Sequence, residues 1–401
     1  MRYERLFSPV SFGGRSAVNR FAAQAMEGND GEAGGAVSER GRERYRALAR
    51  GGWGVVVVEA ISVVHSPLAR KFGLVMAPEN LESFKRLVGD FKEIFPEGLL
   101  LFQLTHSGRN SGSFSRRTCL YPGDAPPGSH LLDTSEVEAI GEAFIRAARL
   151  AQEAGADGID FKMCHGYLGA EMLRPANLRD DKWGGSFENR TRFIREIAGE
   201  IISGRRSRDF IVGSRVSLFE GVRGGCGTAG PDELIEDLGE MDRVILLLRE
   251  TGMDYINVSA GIPALTPEIT RPTKPSVRFY LHHFRYAARV KELAPELTVI
   301  GSAYSVLAGE AAAYAEENIA RGYVDCAGFG RQSFADPLYP AKLLSGEKVD
   351  YCIACSGCSR LMAAQLNDGC IVYNPYYREV NKNFAKNSAR DSAGDSRGGG
   401  A

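Results

Sequence analysis

The sequence has no apolar run long enough to cross a bilayer, and its first residues, Met1 to Pro9, carry no apolar stretch of the kind found in secretory signals. It also has no excess of charge of either sign, because 49 Lys and Arg residues stand against 50 Asp and Glu residues, a formal net charge of -1. A balance this even directs the protein neither to nucleic acid nor to an anionic membrane. We therefore expect a cytoplasmic protein with no nucleic-acid or membrane partner.

The order of the predicted elements indicates the fold class. The 401 residues are 44% hydrophobic and 25% charged, enough for one large core. No G-x-G-x-x-G follows the first strand candidate, which argues against an open doubly wound sheet. Eight β-rich runs instead alternate with helix-length amphipathic stretches, which predicts a (β/α)8 TIM barrel. The predicted strands are 20–26, 54–62, 99–106, 158–165, 210–218, 255–261, 297–303 and 324–330.

Capping residues and helical spacing predict helices between these strands. The clearest are Asn80–Phe95, Thr134–Ala154 and Glu188–Ile202. Residues 381–401 contain almost no apolar side chains, so we expect a disordered tail there. The predicted domains are the barrel over 1–345, a short C-terminal four-cysteine segment packed on it over 346–380, and this tail.

Residues at the carboxyl ends of the predicted strands are the candidate site, because a parallel barrel places its chemistry there. They are Ala25, Met26, Glu27, Gln103, His165, Tyr167, Arg215, Gly301, Ser302, Gly330 and Arg331. The loops after the last two strands commonly hold a phosphate, although their glycines also suit ordinary turns.

Two polar residues interrupt apolar strands. Gln103 and Arg215 cost free energy in such positions unless their donors and acceptors find partners. The amide of an isoalloxazine ring would match Gln103, whereas bonding to neighbouring backbone is the simpler alternative. Taken together, the two residues favour a cofactor.

His165 and Tyr167 share one face of an extended strand and could hold a carbonyl oxygen and supply a proton. An ordinary core tyrosine is the simpler interpretation of Tyr167.

Four of the eight cysteines crowd into one short segment, whereas Cys119, Cys164, Cys226 and Cys326 are scattered. The crowded set is Cys352, Cys355, Cys358 and Cys370. In a chain without a predicted secretory signal, such crowding suggests a metal site before it suggests disulfides. The spacing C-x₂-C-x₂-C-x₁₁-C suits either a [4Fe–4S] cluster or tetrahedral zinc.

Several motifs carry a resemblance to a known family. They are Asn19-Arg20-Phe21, Gln103 with His106-Ser107-Gly108-Arg109, His165-Gly166-Tyr167-Leu168, and the long run RDDKWGGSFENR over 179–190. From about Leu6 to Pro375 the chain resembles the old yellow enzyme family of NADH:flavin oxidoreductases. It is most similar to the iron–sulfur branch, which includes 2,4-dienoyl-CoA reductase, enoate reductase and trimethylamine dehydrogenase.

This resemblance implies an FMN over the barrel mouth and Tyr167 as proton donor. It implies that Ala25, Met26 and Glu27 line the flavin, that Gln103 and Arg215 meet its pyrimidine edge, and that Ser302 and Arg331 lie near its phosphate. It also favours the [4Fe–4S] cluster over zinc on the four cysteines. NAD(P)H, or a separate electron-transfer flavoprotein or ferredoxin, would then supply electrons, and a homo-oligomer is compatible with this scheme.

The sequence departs from the family pattern at three places. Lys162 stands where old yellow enzymes often have a His five residues before the tyrosine, and the stretch 261–266 lacks the His of dienoyl-CoA reductases. Glu27 replaces a smaller or cationic group, and its carboxylate would disfavour an anionic reduced flavin unless it were protonated or paired. From the residues that follow Pro375 we expect no nucleotide-binding region like that of larger members.

We therefore expect an FMN-dependent ene reductase that acts on a small unsaturated molecule such as an enoate or an enone. Flavin N5 would supply the hydride, His165 would polarise the carbonyl group, and Tyr167 would supply the proton. Two other interpretations stay open. One is a flavin and iron–sulfur amine-type dehydrogenase with the reverse electron flow, and the other is a zinc-stabilised barrel without a redox role.

Overall fold

A closed barrel of eight parallel strands organises the chain. The computed structural model describes residues 3–123 and 125–395, with side chains as far as Ser388. Each strand pairs with the next, and β8 pairs with β1 to close the ring. The strands are β1 (Phe21–Ala23), β2 (Val55–Ser62), β3 (Leu99–Thr105), β4 (Gly158–Met163), β5 (Ile211–Ser217), β6 (Tyr255–Ser259), β7 (Thr298–Gly301) and β8 (Cys326–Phe329). All eight lie within the predicted ranges, so the barrel is confirmed.

Helices follow the strands and surround the barrel. They are α1 (Glu39–Arg50), α2 (Leu81–Ile94), α3 (Thr134–Ala154), α4 (Arg192–Ser203), α5 (Gly239–Thr251), α6 (Tyr280–Leu293), α7 (Ala311–Ala320), α8 (Tyr339–Ser345), α9 (Gly357–Ala363) and α10 (Pro375–Asp395). Single-turn or short helices lie in the loops at Pro78–Asn80, Gly108–Asn110, Leu168–Leu173, Phe187–Arg190, Pro267–Thr270, Val277–Phe279, Tyr304–Glu310 and Arg331–Ala335.

Local sequence explains where these helices begin and end. Helix α3 has its predicted bounds, and its cap is Asp133, whose side chain and that of Glu136 form a reciprocal capping box. It ends at Gly155, which adopts φ 85°, a left-handed conformation that glycine accepts without a steric cost. The helix predicted over 188–202 is instead split at Thr191 into two helices.

The barrel interior has an apolar lower half. Because side chains alternate along a strand, every second residue points inward. The lower inward residues, among them Val55, Leu99 and Ile211, pack around Tyr255. An antiparallel hairpin of Val10–Phe12 and Arg15–Ala17 covers this end, and the ring centroids of Phe12 and Tyr255 lie 5.6 Å apart. A second, larger core lies between the strands and the surrounding helices.

The C-terminal segment lies against the barrel and ends in a long helix. Asp368 donates its backbone N–H to the oxygen of Gly28, and the Asn29 side-chain amide donates to Leu366, which ties the segment to the loop after β1. The structure differs from the predicted tail, because α10 continues from Pro375 to Asp395, while residues 396–401 lie outside the described residues.

Within the described residues, none of the helices has the length and apolar character needed to span a membrane.

The hairpin that covers the barrel should contribute strongly to stability. Phe12 is fully buried, so Phe12→Ala should lower the free energy of unfolding by about 3–5 kcal/mol through lost contacts and a cavity. Urea unfolding followed by circular dichroism measures this loss. Phe114, which is 41% exposed, is the matched control, and Phe114→Ala should change stability by only about 0.5 kcal/mol. Equal losses in the two variants would contradict a stabilising role for the hairpin.

Candidate active site

A cavity of about 680 Å³ opens at the carboxyl ends of the barrel strands. Loops after the strands form its walls, and α9 with the residues that follow it forms a roof. A wider groove of about 950 Å³ runs beside Arg179 and is more open to solvent. That groove contains none of the strand-end candidate residues, so the cavity over the barrel is the candidate active site.

Nearly all of the candidate residues meet in this cavity. Its lining includes Ala25, Met26, Glu27, Gln103, His165, Tyr167, Arg215, Ser302, Gly330 and Arg331. Gly301 does not reach it, since it lies at the end of β7 beside Val324 and Tyr304. Its predicted contact with a cofactor therefore stays a prediction.

A buried polar network forms the floor of the cavity. Asp160 is fully buried on β4 and accepts hydrogen bonds from Gln103 Nε2 at 2.9 Å and from the Tyr255 hydroxyl at 3.0 Å. Burial raises the pKa of Asp160. Because Nε2 of Gln103 is committed to this carboxyl group, its amide oxygen is left to accept a hydrogen bond from above. Gln24 and Asn257 exchange two further hydrogen bonds, at 2.9 and 2.7 Å.

Two arginines present unsatisfied donors to the cavity. Arg215 is 9% exposed and donates Nη2 to Ser259 at 3.4 Å, while its buried Nε has no partner among the described residues. Arg331 is 8% exposed and donates Nη2 to the oxygen of Pro272, while its buried Nη1 likewise lacks one. Buried donors without partners are costly, so they indicate a ligand. At Gly328 a Cβ would lie 2.1 Å from Gln24 Nε2 and 2.4 Å from the Gly301 oxygen, so only a glycine fits there.

These features fit FMN. The oxygen of Gln103 is an acceptor for the ring imide N–H, and Arg215 is a donor for the oxygens of the same edge. Arg331, beside Ser302 and Gly330, offers a cation to a phosphate. The residues present therefore fit the imide N–H, the ring oxygens and the phosphate of this cofactor.

A compact group of charges surrounds Tyr167. The Tyr167 hydroxyl donates to Glu27 Oε1 at 2.9 Å, and Arg70 Nε donates to Oε2 at 2.8 Å. Lys162 Nζ lies 3.8 Å from Oε1 and 3.4 Å from the centroid of the Tyr167 ring. Burial alone would raise the pKa of Glu27, but Arg70 and Lys162 outweigh it and hold the pKa below its ordinary value. Glu27 is thus an ionised carboxylate with two cationic partners.

The same charges set the protonation of their neighbours. Burial and the Glu27 carboxylate raise the pKa of Tyr167, so its phenol keeps its proton. Burial lowers the pKa of Lys162, and Glu27 offsets only part of that effect. Arg70 offsets part of the effect that burial and Glu27 have on the pKa of Tyr167.

His165 is held in an unusual conformation at the end of β4. Its φ of 61° is left-handed, its backbone N–H donates to the Ser217 hydroxyl at 3.1 Å, and its Nε2 lies 2.7 Å from the Ser259 hydroxyl. Burial, Arg215 and Lys162 lower the pKa of His165 well below its ordinary value. The imidazole is therefore neutral at physiological pH, and it faces the same cavity as Tyr167.

The cysteine segment borders the active-site cavity. All four crowded cysteines, Cys352, Cys355, Cys358 and Cys370, line one small second cavity of about 20 Å³, and none of the eight cysteines forms a disulfide. Cys358 and Arg331 line both cavities. The scattered cysteines are buried elsewhere. Among the described residues, no three His, Cys, Asp or Glu side chains are already arranged to hold a metal ion.

Several lining residues were not among the predicted site residues. Arg70 and Arg271 come from the loops after β2 and β6, His283 from α6, and Met362 from α9. None belongs to a recognisable motif, and the sequence contains too many arginines for one to stand out. Only Lys162 could have been picked out from the sequence, since it departs from the family pattern.

Comparison with known proteins gives a family match. The model of the NADH:flavin oxidoreductase / NADH oxidase family matches residues 5–349. The chain is 30% identical over 376 residues to an NADH oxidase of Thermoanaerobacter brockii, covering 89% of this chain and 54% of the relative. It is 27% identical over 380 residues to a cinnamate reductase of Clostridium sporogenes, covering 89% and 56%. The chain thus spans about half the length of these curated relatives.

A solved structure supports the fold. The structure of a 2-naphthoyl-CoA reductase in complex with 2-naphthoyl-CoA superposes with a TM-score of 0.80 at 23% sequence identity. The match covers 94% of this chain and 57% of that protein. At this identity the likeness concerns the fold alone.

The ion pairs that Glu27 forms with Arg70 and Lys162 should contribute to the free energy of unfolding. Glu27→Gln leaves Arg70 and Lys162 buried without their counter-charge, so it should lower the free energy of unfolding by about 3–5 kcal/mol. The pKa of Glu27 is lowered in the folded state, so its stabilising effect is present above the ordinary value of 4.5 and is lost as the pH falls through the folded value.

Thermal unfolding of wild type and variant between pH 3 and 8 measures both effects. The two curves should converge at acid pH, where the wild-type carboxylate is also protonated. The control is Glu79→Gln, an exposed partner of His65 that should leave the curve nearly unchanged. A constant difference between wild type and Glu27→Gln at every pH would argue against an ionised Glu27.

Proposed function

Because the chain belongs to the NADH:flavin oxidoreductase / NADH oxidase family, we propose that this flavin-dependent oxidoreductase is an ene reductase, which reduces an electron-poor carbon–carbon double bond. The observation that carries the proposal is the meeting of a neutral imidazole, His165, and a protonated phenol, Tyr167, in the cavity over the barrel. Reduction of such a bond needs one group that polarises the activating oxygen and another that supplies a proton. The similarity to a cinnamate reductase supports the same reaction class.

The residues that would hold FMN divide by their chemistry. Gln103 and Arg215 would bind the pyrimidine edge, and Ser302, Gly330 and Arg331 would bind the phosphate end. Ala25, Met26 and Glu27 line the same cavity after β1. When bound, FMN would supply the hydride for the β-carbon, and the family match supports NAD(P)H as the donor that reduces it.

The protein groups then handle the charge and the proton. As negative charge develops on the activating oxygen, His165 donates a hydrogen bond to it from its neutral ring. The phenol of Tyr167 gives its proton to the α-carbon. The resulting phenolate would lie beside Arg70, which offsets part of the cost that burial and the Glu27 carboxylate impose on its charge, until a new proton arrives. Because Glu27 is ionised, it holds the phenol in place but has no proton of its own to give.

The four crowded cysteines support a [4Fe–4S] cluster as a second redox group. Cys352, Cys355, Cys358 and Cys370 would be its ligands, since all four line one cavity. When bound, the cluster would supply single electrons from an electron-transfer flavoprotein, a ferredoxin or a second subunit. Cys358 and Arg331 line both cavities, so the two groups would be neighbours. Zinc on the same thiolates is the alternative outcome.

Cofactor analysis separates these outcomes. Protein purified without oxygen and then heat-denatured should release one FMN per chain, with about four irons and four sulfides. Cys358→Ser should lose iron yet keep the flavin, whereas Cys226→Ser, at a buried cysteine far from the segment, should keep both. If one zinc per chain were found instead of iron, the four cysteines would hold a structural metal and not the cluster. Folded protein without flavin would contradict the proposed function.

The role of Tyr167 is testable in the half-reaction with the alkene. Tyr167→Phe should keep FMN but slow the reoxidation of pre-reduced enzyme by an activated enone by roughly 10²–10⁴, the usual worth of a positioned acid. Reduction of the flavin should hardly change, because that step does not use the phenolic proton. Stopped-flow absorbance follows both steps. Since the pKa of Tyr167 is raised above its ordinary value of 10, the wild-type reoxidation rate should not fall between pH 6 and 9 through loss of this proton.

A matched control is Tyr121→Phe, at a tyrosine outside this cavity whose hydroxyl accepts from Arg174. It should leave both half-reactions unchanged. An unchanged reoxidation rate in Tyr167→Phe would remove Tyr167 from the mechanism and transfer the test to Lys162 and His165. Flavin reduction by amines, without any reoxidation by alkenes, would instead favour the dehydrogenase alternative, in which Glu27 accepts the phenolic proton.

A further inference from the structure

We propose that a water molecule, held by Thr105 behind Tyr167, returns to the phenol the proton that the phenol gives to the substrate. The inference rests on the proposed ene reduction, in which Tyr167 must regain a proton before each new cycle. It assigns a binding site for water and makes Thr105 a positioning residue of that site.

The water site is a small cavity at the rim of the barrel, which we call the back chamber. It lies at the ends of β2 and β3, beneath the loop that follows β2. Its volume of about 20 Å³ is room for one water molecule, which needs roughly 10–15 Å³. Six polar or charged residues line it, namely Glu27, Ser62, Arg70, Thr105, Ser107 and Tyr167. Volume and polarity therefore both suit a bound water.

The back chamber shares a wall with the active-site cavity. Glu27, Arg70 and Tyr167 line both spaces, and the hydrogen bonds from Tyr167 and Arg70 to Glu27, at 2.9 and 2.8 Å, hold this wall together. Lys162 and His165, in contrast, line the active-site cavity but not the chamber. The phenol can therefore be reached from behind while cofactor and substrate fill the space in front of it.

Thr105 brings an unsatisfied hydroxyl group to the chamber. The residue is only 5% exposed, and its buried Oγ1 forms no hydrogen bond to any residue that the structure describes. Because side chains alternate along β3, Thr105 points to the same side as Gln103, towards the barrel mouth. A buried hydroxyl without a partner costs free energy, so it indicates a bound molecule. Since a hydroxyl can both donate and accept, water is a matching partner.

Two serines can complete the coordination of this water. Ser62 Oγ donates to the Val64 oxygen at 2.7 Å, and Ser107 Oγ donates to the Pro67 oxygen at 3.1 Å. Their hydrogens are thus committed to the backbone, whereas their oxygens can still accept. With Thr105, they offer the two to four polar partners that a buried water usually has.

Only a surface loop covers the chamber. Arg70 and Gly73 line it, and the two residues between them, Lys71 and Phe72, are exposed to solvent. A proton from solvent can therefore enter across this loop without passing through the active-site cavity. Such a route keeps the reacting groups away from bulk water, which would favour side reactions.

The proton balance is simple. When Tyr167 has protonated the α-carbon, one O–H bond of the water breaks and the O–H bond of the phenol forms again. The hydroxide that is left accepts a hydrogen bond from Thr105 and is neutralised by a proton from solvent. No electrons move in this step. Glu27 cannot replace the water, because it is ionised and has no proton to give.

Crystal structures of FMN-loaded protein test the water site. Wild type should show an ordered water within about 2.6–3.2 Å of Thr105 Oγ1. Thr105→Val keeps nearly the same volume but removes the hydroxyl, so it should lose this water, whereas Thr105→Ser should retain it. Fold and FMN content should survive in both variants, because Oγ1 has no hydrogen-bond partner among the described residues.

Transient absorbance of tyrosinate tests the proton return. Pre-reduced enzyme is mixed with an activated enone, and the ultraviolet tyrosinate band reports Tyr167 after flavin reoxidation. Thr105→Val should prolong this band by roughly 3- to 10-fold, the rate equivalent of one hydrogen bond, and Thr105→Ser should restore the wild-type lifetime. The double variant Thr105→Val with Tyr167→Phe gives the blank, because it lacks the phenol that carries the signal.

A matched control lies at the covered end of the barrel. Thr298 is also buried, and its Oγ1 donates to the Ser11 oxygen at 2.7 Å. Thr298→Val removes a hydroxyl from a barrel strand far from the chamber and should leave the tyrosinate lifetime unchanged.

The outcomes separate this inference from the proposed reaction. Equal tyrosinate lifetimes in wild type and Thr105→Val would overturn it, and so would a wild-type structure without water at Thr105. A longer lifetime in Lys162→Met but not in Thr105→Val would assign the proton to the lysine instead. If no alkene reoxidises the flavin, the proposed ene reduction falls, while the crystal structures still decide the water site.

Discussion

The closure of the parallel barrel is the constraint on which the site depends. Because β8 pairs with β1, the carboxyl ends of all eight strands meet around one opening, and every second residue of each strand points into the same interior. Along β3 the inward residues are Leu99, Leu101 and then Gln103, and along β6 they are Tyr255, Asn257 and then Ser259. The interior thus changes from apolar at the covered end to polar at the open end. The alternation of side chains along the strands thus supplies both a packed core and a polar site.

Charge balance is the second requirement of this site. Glu27 would be an unfavourable neighbour for a reduced flavin if it stood alone, since a buried carboxylate repels added negative charge. In the structure it lies between Arg70 and Lys162, and the Tyr167 hydroxyl donates to it. Arg70 and Lys162 thus compensate for the burial of the Glu27 carboxylate.

The C-terminal segment combines two roles that the strands cannot fill. Its helix α9 forms the roof of the active-site cavity, and its cysteines line a second cavity next to it. Arg271 donates to Ser359 on this helix, so the loop after β6 and the segment are held together. A substrate bound under the roof would contact residues from both. Specificity and any electron supply through the cysteines would then depend on the same short segment.

The sequence alone determined the eight strands and the bounds of α3, and ten of its eleven strand-end candidates line the cavity. Period-two and helical patterns are local, so they are readable without knowing what each element packs against. The sequence could not determine that Asp160 orients Gln103, that Thr191 divides a predicted helix, or that residues 381–395 continue α10. Nor could it single out Arg70 and Arg271, which come from loops without a motif. Their proximity to Glu27 and His165 exists only after the ring closes, because ion pairing and burial depend on distances between residues far apart in the chain.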